Sequence, residues 1–340
     1  MAEPTLATQA EIAADQDTGD RRKRQLERRR RYAERLQNQG LLLILAAVIG
    51  IMWWSSPYFM SVDNLFTAAA VVSILGIMAV LETMLIISGE IDISIGSVMA
   101  LTSVVIGSLV GGGMNVWVAV AISLVLAAAI GAVNGGLTVF LKINSLVVTL
   151  GMYSIVLGVA YVLSDSTTVI IDGSGFDWIG SSYVWRIPVP VFFFLAVWVI
   201  GQFVLRTTAL GRHIYAVGDN AESAIRAGVR ADGLRVGLFV GMSLSAALAG
   251  IIVTSQLSSA APQIGDPYLL SVVTAVILGG ASLAGGRGTL RGTLISIAIL
   301  GVLQNGFALL QYSVYTQYIV QGGLLIFAVL TDQLVRRAER

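Results

Sequence analysis

Residues 65–87 read LFTAAAVVSILGIMAVLETMLII, with a single ionisable side chain, Glu82, in the whole stretch. A helix needs about 20 consecutive apolar residues to cross a lipid hydrocarbon layer. This stretch meets that length, and the chain continues in the same manner on both sides of it. Apolar segments recur at 41–58, 65–87, 94–111, 116–141, 145–163, 187–205, 235–257, 268–283, 291–311 and 315–333. The reading is therefore an all-α, polytopic membrane protein with about ten transmembrane helices. Composition agrees. Hydrophobic residues make up 56% of the chain and charged residues 12%, with a mean hydropathy of +0.82. A soluble domain usually carries about 25% charged residues, so lipid must replace water over most of this surface. The 37 glycines suit helices that approach closely in a bilayer. The absence of cysteine excludes a disulfide framework and thiolate metal sites.

The charges orient the chain. Lys and Arg concentrate in the cytoplasmic segments of membrane proteins. Ten crossings from a cytoplasmic N-terminus put 20 of the 21 basic residues inside, with Arg186 alone outside. Both termini are then cytoplasmic. Residues 1–40 form a soluble tail, with a disordered acidic start and a basic block at 21–35. That block holds the N-terminus inside; its reading as a nucleic-acid patch is weaker, and no nucleic-acid partner is expected. A cleaved signal peptide is not expected either, because no small-x-small site follows the first apolar run. Residues 41–333 are the membrane domain, and 334–340 a short basic cytoplasmic tail. Aromatic pairs such as Trp53-Trp54 and Tyr58-Phe59 fall at predicted outer interfaces.

Three segments carry residues that membrane packing does not require. The cytoplasmic stretch ALGRHIYAVGDNAESAIRAGVRADGLR, 209–235, contains a capped short helix. Asp219 or Asn220 can cap it, Glu222 completes a box-like spacing, and Gly228 can stop it. Ala221, Ala224 and Ile225 would share one mildly apolar face. About eight residues are too few to stand alone, so the helix must dock on something, either its own protein or a partner. The second segment, GEIDISIGS at 89–97, places Glu90, Asp92 and Ser94 between apolar stretches, close to Glu82. Polar groups at membrane depth usually face a pathway; Glu90 and Asp92 can equally be solvated at the inner headgroups. The third, LGGASLAGGRGT at 278–289, is a glycine turn. Gly279, Gly280, Gly285, Gly286 and Gly288 lack the Lys-Ser/Thr and the strand-to-helix context that a phosphate loop needs. Gly131 and Gly135, Gly237 and Gly241, and Gly288 and Gly292 have the spacing of close helix packing. His213, the sole histidine, makes no metal site alone, and no catalytic constellation is present.

Taken together and in order, these segments resemble the permease subunits of monosaccharide ABC importers, the ribose, xylose and arabinose group. The matching residues are the 89–97 run; Gly211-Arg212, Tyr215-Ala216, Gly218, Asn220, Ala224 and Gly228-Val229; and the 278–289 run. Glu90 departs from the pattern, where glycine is common, and Glu82 stands where a small residue is usual. The resemblance implies a non-catalytic subunit without a cofactor, multi-pass in the cytoplasmic (inner) membrane. It implies a second permease subunit, a cytoplasmic ATPase on a separate chain and an extracytoplasmic sugar-binding protein. ATPase coupling would fall to Gly218, Asp219, Asn220, Ala224 and Gly228, and the substrate pathway to Glu82, Glu90, Asp92 and Ser94. The outer segment 164–186 would meet the binding protein. The alternative is a stand-alone ion-coupled transporter using Glu82, weakened because no base lies within a span to pair with it.

Overall fold

The structure is a computed structural model that describes residues 39–171 and 175–339. The acidic start and the basic block at 21–35 lie outside the described residues. Each of the ten apolar segments falls on a helix. Six are long and apolar enough to cross a membrane: α2 (Val62–Ile87), α4 (Val116–Phe140), α5 (Ser145–Leu163), α7 (Val189–Thr207), α10 (Ala231–Leu257) and α12 (Leu290–Leu309). Four have shorter apolar runs: α1 (Gln39–Ser55), α3 (Ile95–Gly111), α11 (Asp266–Leu278) and α13 (Val314–Glu339). Three further helices were not in the apolar map: α6 (Trp178–Ser181), α8 (Ala209–Asp219) and α9 (Ala221–Arg226).

Local chemistry marks the helix ends. Ser61, Asn115, Asn144, Thr208, Asn220 and Thr289 each accept a bond from a first-turn backbone N–H, satisfying donors that helical geometry orphans. Helices α2, α9 and α11 stop in one way. A glycine with positive φ follows the cap (Gly89 at +89°, Gly228 at +86°, Gly280 at +91°). The next N–H then reaches back into the last turn, as Glu90 to Leu85, Val229 to Ala224 and Ala281 to Val276. This left-handed stop favours glycine because a Cβ clashes there.

Helix α2 is the centre of the bundle. Of its apolar window 83% is buried, against 22% for α5 and 28% each for α4 and α7. It packs on α7, α10, α11 and α12, while α10 bridges it to α3 and α4. The peripheral helices present their apolar side chains outward, as at Val125, Val147, Val162 and Phe203, which is the reverse of a soluble bundle and suits lipid or a neighbouring subunit. Glycines bring α4 onto α10. A Cβ on Gly131 would sit 2.6 Å from the Phe239 carbonyl oxygen, and one on Gly135 would sit 2.9 Å from Val236 Cα. The spacing of Gly131 and Gly135 is therefore a packing feature, whereas Gly237 faces open space. Buried hydroxyls and amides join neighbours elsewhere: Thr83 with Thr293 at 2.9 Å, Thr254 with Ser103 at 2.7 Å, and Asn64 with Asn305. Such bonds average about 0.6 kcal/mol each in membrane proteins.

At the end of the bundle where α5 stops and α7 begins, two short strand pairs form a cap. They are β1 (Val169–Ile170) on β4 (Ser259–Ala260) and β2 (Tyr183–Val184) on β3 (Ile187–Pro188). Ser255 Oγ accepts from Gly180 N–H and donates to the Phe176 carbonyl, pinning α6 to α10. Trp54 and Trp185 stand 94% exposed.

Replacing Gly131 with valine sets a side chain against backbone that cannot yield. We expect a destabilisation of about 1–3 kcal/mol, the usual range for overpacking, read as a lower melting midpoint in detergent. Gly151→Ala, which meets nothing within 4 Å, should leave the midpoint unchanged; equal behaviour of the two variants would contradict the α4–α10 contact.

Candidate coupling site

The three sequence segments converge at one end of the bundle, opposite the strand cap. Ile87 ends α2, and its carbonyl accepts from Gly286 N–H at 2.8 Å. The end of α8 lies over the same carbonyl: a Cβ on Gly218 would overlap the Ile87 oxygen and stand 2.6 Å from Gly286 N. A Cβ on Gly285 would be 2.7 Å from the Gly218 carbonyl and 3.0 Å from Gly89 Cα. Tyr215 Oη donates to the Gly288 carbonyl at 2.8 Å. Within the turn, Ser282 N–H donates to the Arg287 carbonyl and Gly285 N–H to the Ser282 carbonyl. Gly279 and Gly292 meet backbone to backbone where α11 turns into α12. The glycines therefore exist for close approach, and the turn is an interlock between three segments rather than a simple link.

The 209–235 segment holds two helices where the sequence reading expected one. Helix α8 is amphipathic. It buries Gly211, Ile214 and Val217 against the bundle and leaves Arg212 outside. Helix α9 is six residues, not about eight, and Asn220, rather than Asp219, caps it through Ser223 N–H at 2.9 Å. The expected common face of Ala221, Ala224 and Ile225 is divided. Ala224 is buried against Val217 and Ala231, while Ile225 is 53% exposed beside Glu222, Ser223 and Arg226. Adjacent residues of a helix point about 100° apart, so a contact centred on Ala224 leaves Ile225 outside it. Glu222 and Arg226 form an exposed i,i+4 ion pair.

The polar residues between α2 and α3 form a second, connected cluster. Glu82, Asp92 and Ser94 are fully buried. Asp92 N–H donates to Glu82 Oε1 at 3.3 Å, and Asp92 Oδ1 accepts from Ser94 N–H at 2.7 Å and Ser94 Oγ at 2.6 Å. Asn134 Nδ2 on α4 donates to Ser94 Oγ at 2.9 Å and to Asp92 Oδ2 at 3.4 Å. Burial pushes the Asp92 carboxyl up, and its bonds with Ser94 and Asn134 pull it back. Glu82 Oε2 and Asn134 Oδ1 have no partner among the described residues. Glu90 turns outward to Arg235 on α10, at 3.3 Å, and Arg235 also donates to the Ser88 carbonyl at 3.1 Å. Asp92 thus holds the start of α3, and Arg235 clamps the end of α2. Among the described residues no group of three or more acids and histidines could hold a metal ion.

Sequence reasoning missed Asn134, Arg235 and the bonding role of Tyr215. Asn134 lies three residues after Gly131, and a lone amide in an apolar span was a signal that could have been followed.

Helices of this length and apolarity, uncovered on their outer faces, are those of an integral membrane protein. The chain belongs to the family described as branched-chain amino acid transport system / permease component, whose model matches residues 64–329. Among its relatives, the ribose import permease protein RbsC of Escherichia coli (strain K12) is 39% identical over 309 residues, 89% of this chain and 96% of the relative. The L-arabinose transport system permease protein AraH of the same strain is 34% identical over 301 residues, 88% of this chain and 92% of the relative. The L-arabinose ABC transporter permease protein AraH of Azospirillum brasilense is 31% identical over 305 residues, 90% of each chain. No solved structure matches the chain.

Asp92→Ala would strand the Ser94 N–H and hydroxyl inside the protein. Unsatisfied buried donors cost about 1–3 kcal/mol each, so the melting midpoint should fall clearly. Ser145→Ala removes only the acceptor of the long Ile91 N–H bond, 3.3 Å, and should cost less. An Asp92→Ala midpoint at or above that of Ser145→Ala would refute the anchoring role.

Proposed function

We propose that this chain is the permease subunit of an ATP-driven importer that carries a monosaccharide, or a related small polyol, across the cytoplasmic membrane. It crosses ten times, with both termini cytoplasmic, and pairs with a second permease subunit. One observation carries the reading. The three segments that mark the family in sequence meet in space, at the end of the bundle that holds α9. The names of the relatives support a sugar as cargo, with pentoses first among the candidates.

In this reading α9 is the element on which the partner ATPase acts, with Glu222, Ser223, Ile225 and Arg226 as the contact face. Asn220, Ala224 and Gly228 set its orientation from beneath, and Gly218 and Asp219 join it to α8. An extracytoplasmic sugar-binding protein docks at the opposite end, on the cap around residues 164–188. The pathway lies between subunits in this reading, and Glu82, Glu90, Asp92 and Ser94 shape its wall, three of them from buried positions within one subunit. Cargo passes by alternating access, and hydrolysis takes place on the partner chain.

A second reading, ion-coupled transport, is favoured by one feature, the buried contact between Glu82 and Asp92. Uptake of radiolabelled D-ribose and L-arabinose, by membranes containing the chain with its co-purifying proteins, separates the two. The importer reading expects uptake that requires ATP, persists when ionophores collapse ion gradients, and survives Glu82→Gln. Uptake abolished by ionophores with ATP present, and by Glu82→Gln, would replace it with the ion-coupled reading. Ile225→Asp should reduce co-purifying ATPase at least tenfold at unchanged membrane levels; undiminished ATPase would remove α9 as the contact.

A further inference from the structure

Backbone and side-chain bonds both hold the segments that meet around Ile87, and the closest contacts are between backbones. The bonds are Gly286 N–H to the Ile87 carbonyl, Tyr215 Oη to the Gly288 carbonyl and Arg235 to the Ser88 carbonyl. The contacts at Gly218, Gly285 and Gly286 are backbone on backbone; a Cβ on Gly286 would be 3.0 Å from Asp219 Cα. Side-chain contacts can slip by changing rotamer. Backbone contacts at closest approach cannot, because close-packed groups have no free volume to move into. Asn220 starts α9 immediately after this contact, and Gly218 lies two residues before it.

Three consequences meet here. A push on α9 is delivered to Gly218 within two residues. From there it reaches the end of α2, the most buried helix of the bundle, and the turn that reverses α11 into α12. Arg235 ties the start of α10 to the same point. Four spans therefore share one mechanical junction with the short helix.

We propose that Gly218, with Ile87, Gly286 and Tyr215, forms a rigid transmission joint that moves α8 and the ends of α2 and α11 as one body when α9 is displaced. Gly218 and Tyr215 are positioning residues of transport: they touch neither nucleotide nor cargo, and they set how much α9 motion reaches the spans. The inference rests on the importer reading.

The test uses the whole complex, permease with its ATPase and binding protein, in proteoliposomes, with [14C]D-ribose as cargo. Gly218→Ala forces α8 off the Ile87 carbonyl, and Tyr215→Phe removes the hydrogen bond to the Gly288 carbonyl and keeps the ring. Both should lower ribose transported per ATP hydrolysed, at least tenfold for Gly218→Ala and two- to fivefold for Tyr215→Phe. A merely structural role lowers uptake and hydrolysis in the same proportion, and an unchanged ratio in both variants overturns the proposal.

A cross-link supplies a measurement independent of those variants. The chain has no cysteine of its own. A Cβ on Gly286 would lie 3.2 Å from Asp219 Cβ, close to the roughly 3.5–4.5 Å of a disulfide. Asp219→Cys with Gly286→Cys should therefore oxidise to the same extent in nucleotide-free and vanadate-trapped complexes. A yield that falls severalfold in either state means the joint slides, and overturns the proposal. Failure of the importer reading shows elsewhere, as absence of ATP-dependent D-ribose uptake in the unsubstituted complex.

Discussion

The last carbonyl of α2, at Ile87, is the constraint around which one end of this protein is organised. A helix leaves its final carbonyls without partners, and lipid offers none. Here the partner comes from another segment, through Gly286 N–H. Bringing a second backbone so near excludes side chains, which accounts for glycine at 218 and 285. The bond that completes α2 also decides where the α11–α12 turn sits and where α8 ends.

The same logic of polar groups seeking partners explains the buried acids. Asp92 lies fully buried, yet its carboxylate accepts from Ser94 twice and from Asn134 once. It acts as a peg that starts α3 at a set angle to α2. Glu90, two residues earlier, faces Arg235. With these two acids one short stretch fastens α3 to α4 and α2 to α10.

Much of this could be read from residues alone, and the failures share a cause. The helices under the ten apolar segments were legible because long apolar runs show in the residues themselves, and six of those helices are long and apolar enough to span. Helix α8 was not legible, because ALGRHIYAVGD is amphipathic and carries no long apolar run. Ala224 and Ile225 were assigned one face, but α9 docks through Ala224 on Val217 and Ala231 and leaves Ile225 exposed. Glu82 showed no partner in its own span, since Asp92 reaches it only after the chain has turned back at Gly89.

By itself the sequence determined the class of fold and the family, because apolar length and ordered motifs act within a few residues of one another. It also carried the three marked segments, as motifs in order. Tertiary structure alone decided that these segments are one site. Contacts between residues as far apart as 87, 218 and 286 depend on how helices stack. That stacking follows from which glycines allow backbones to touch and which buried polar atoms find partners, quantities that no single segment contains.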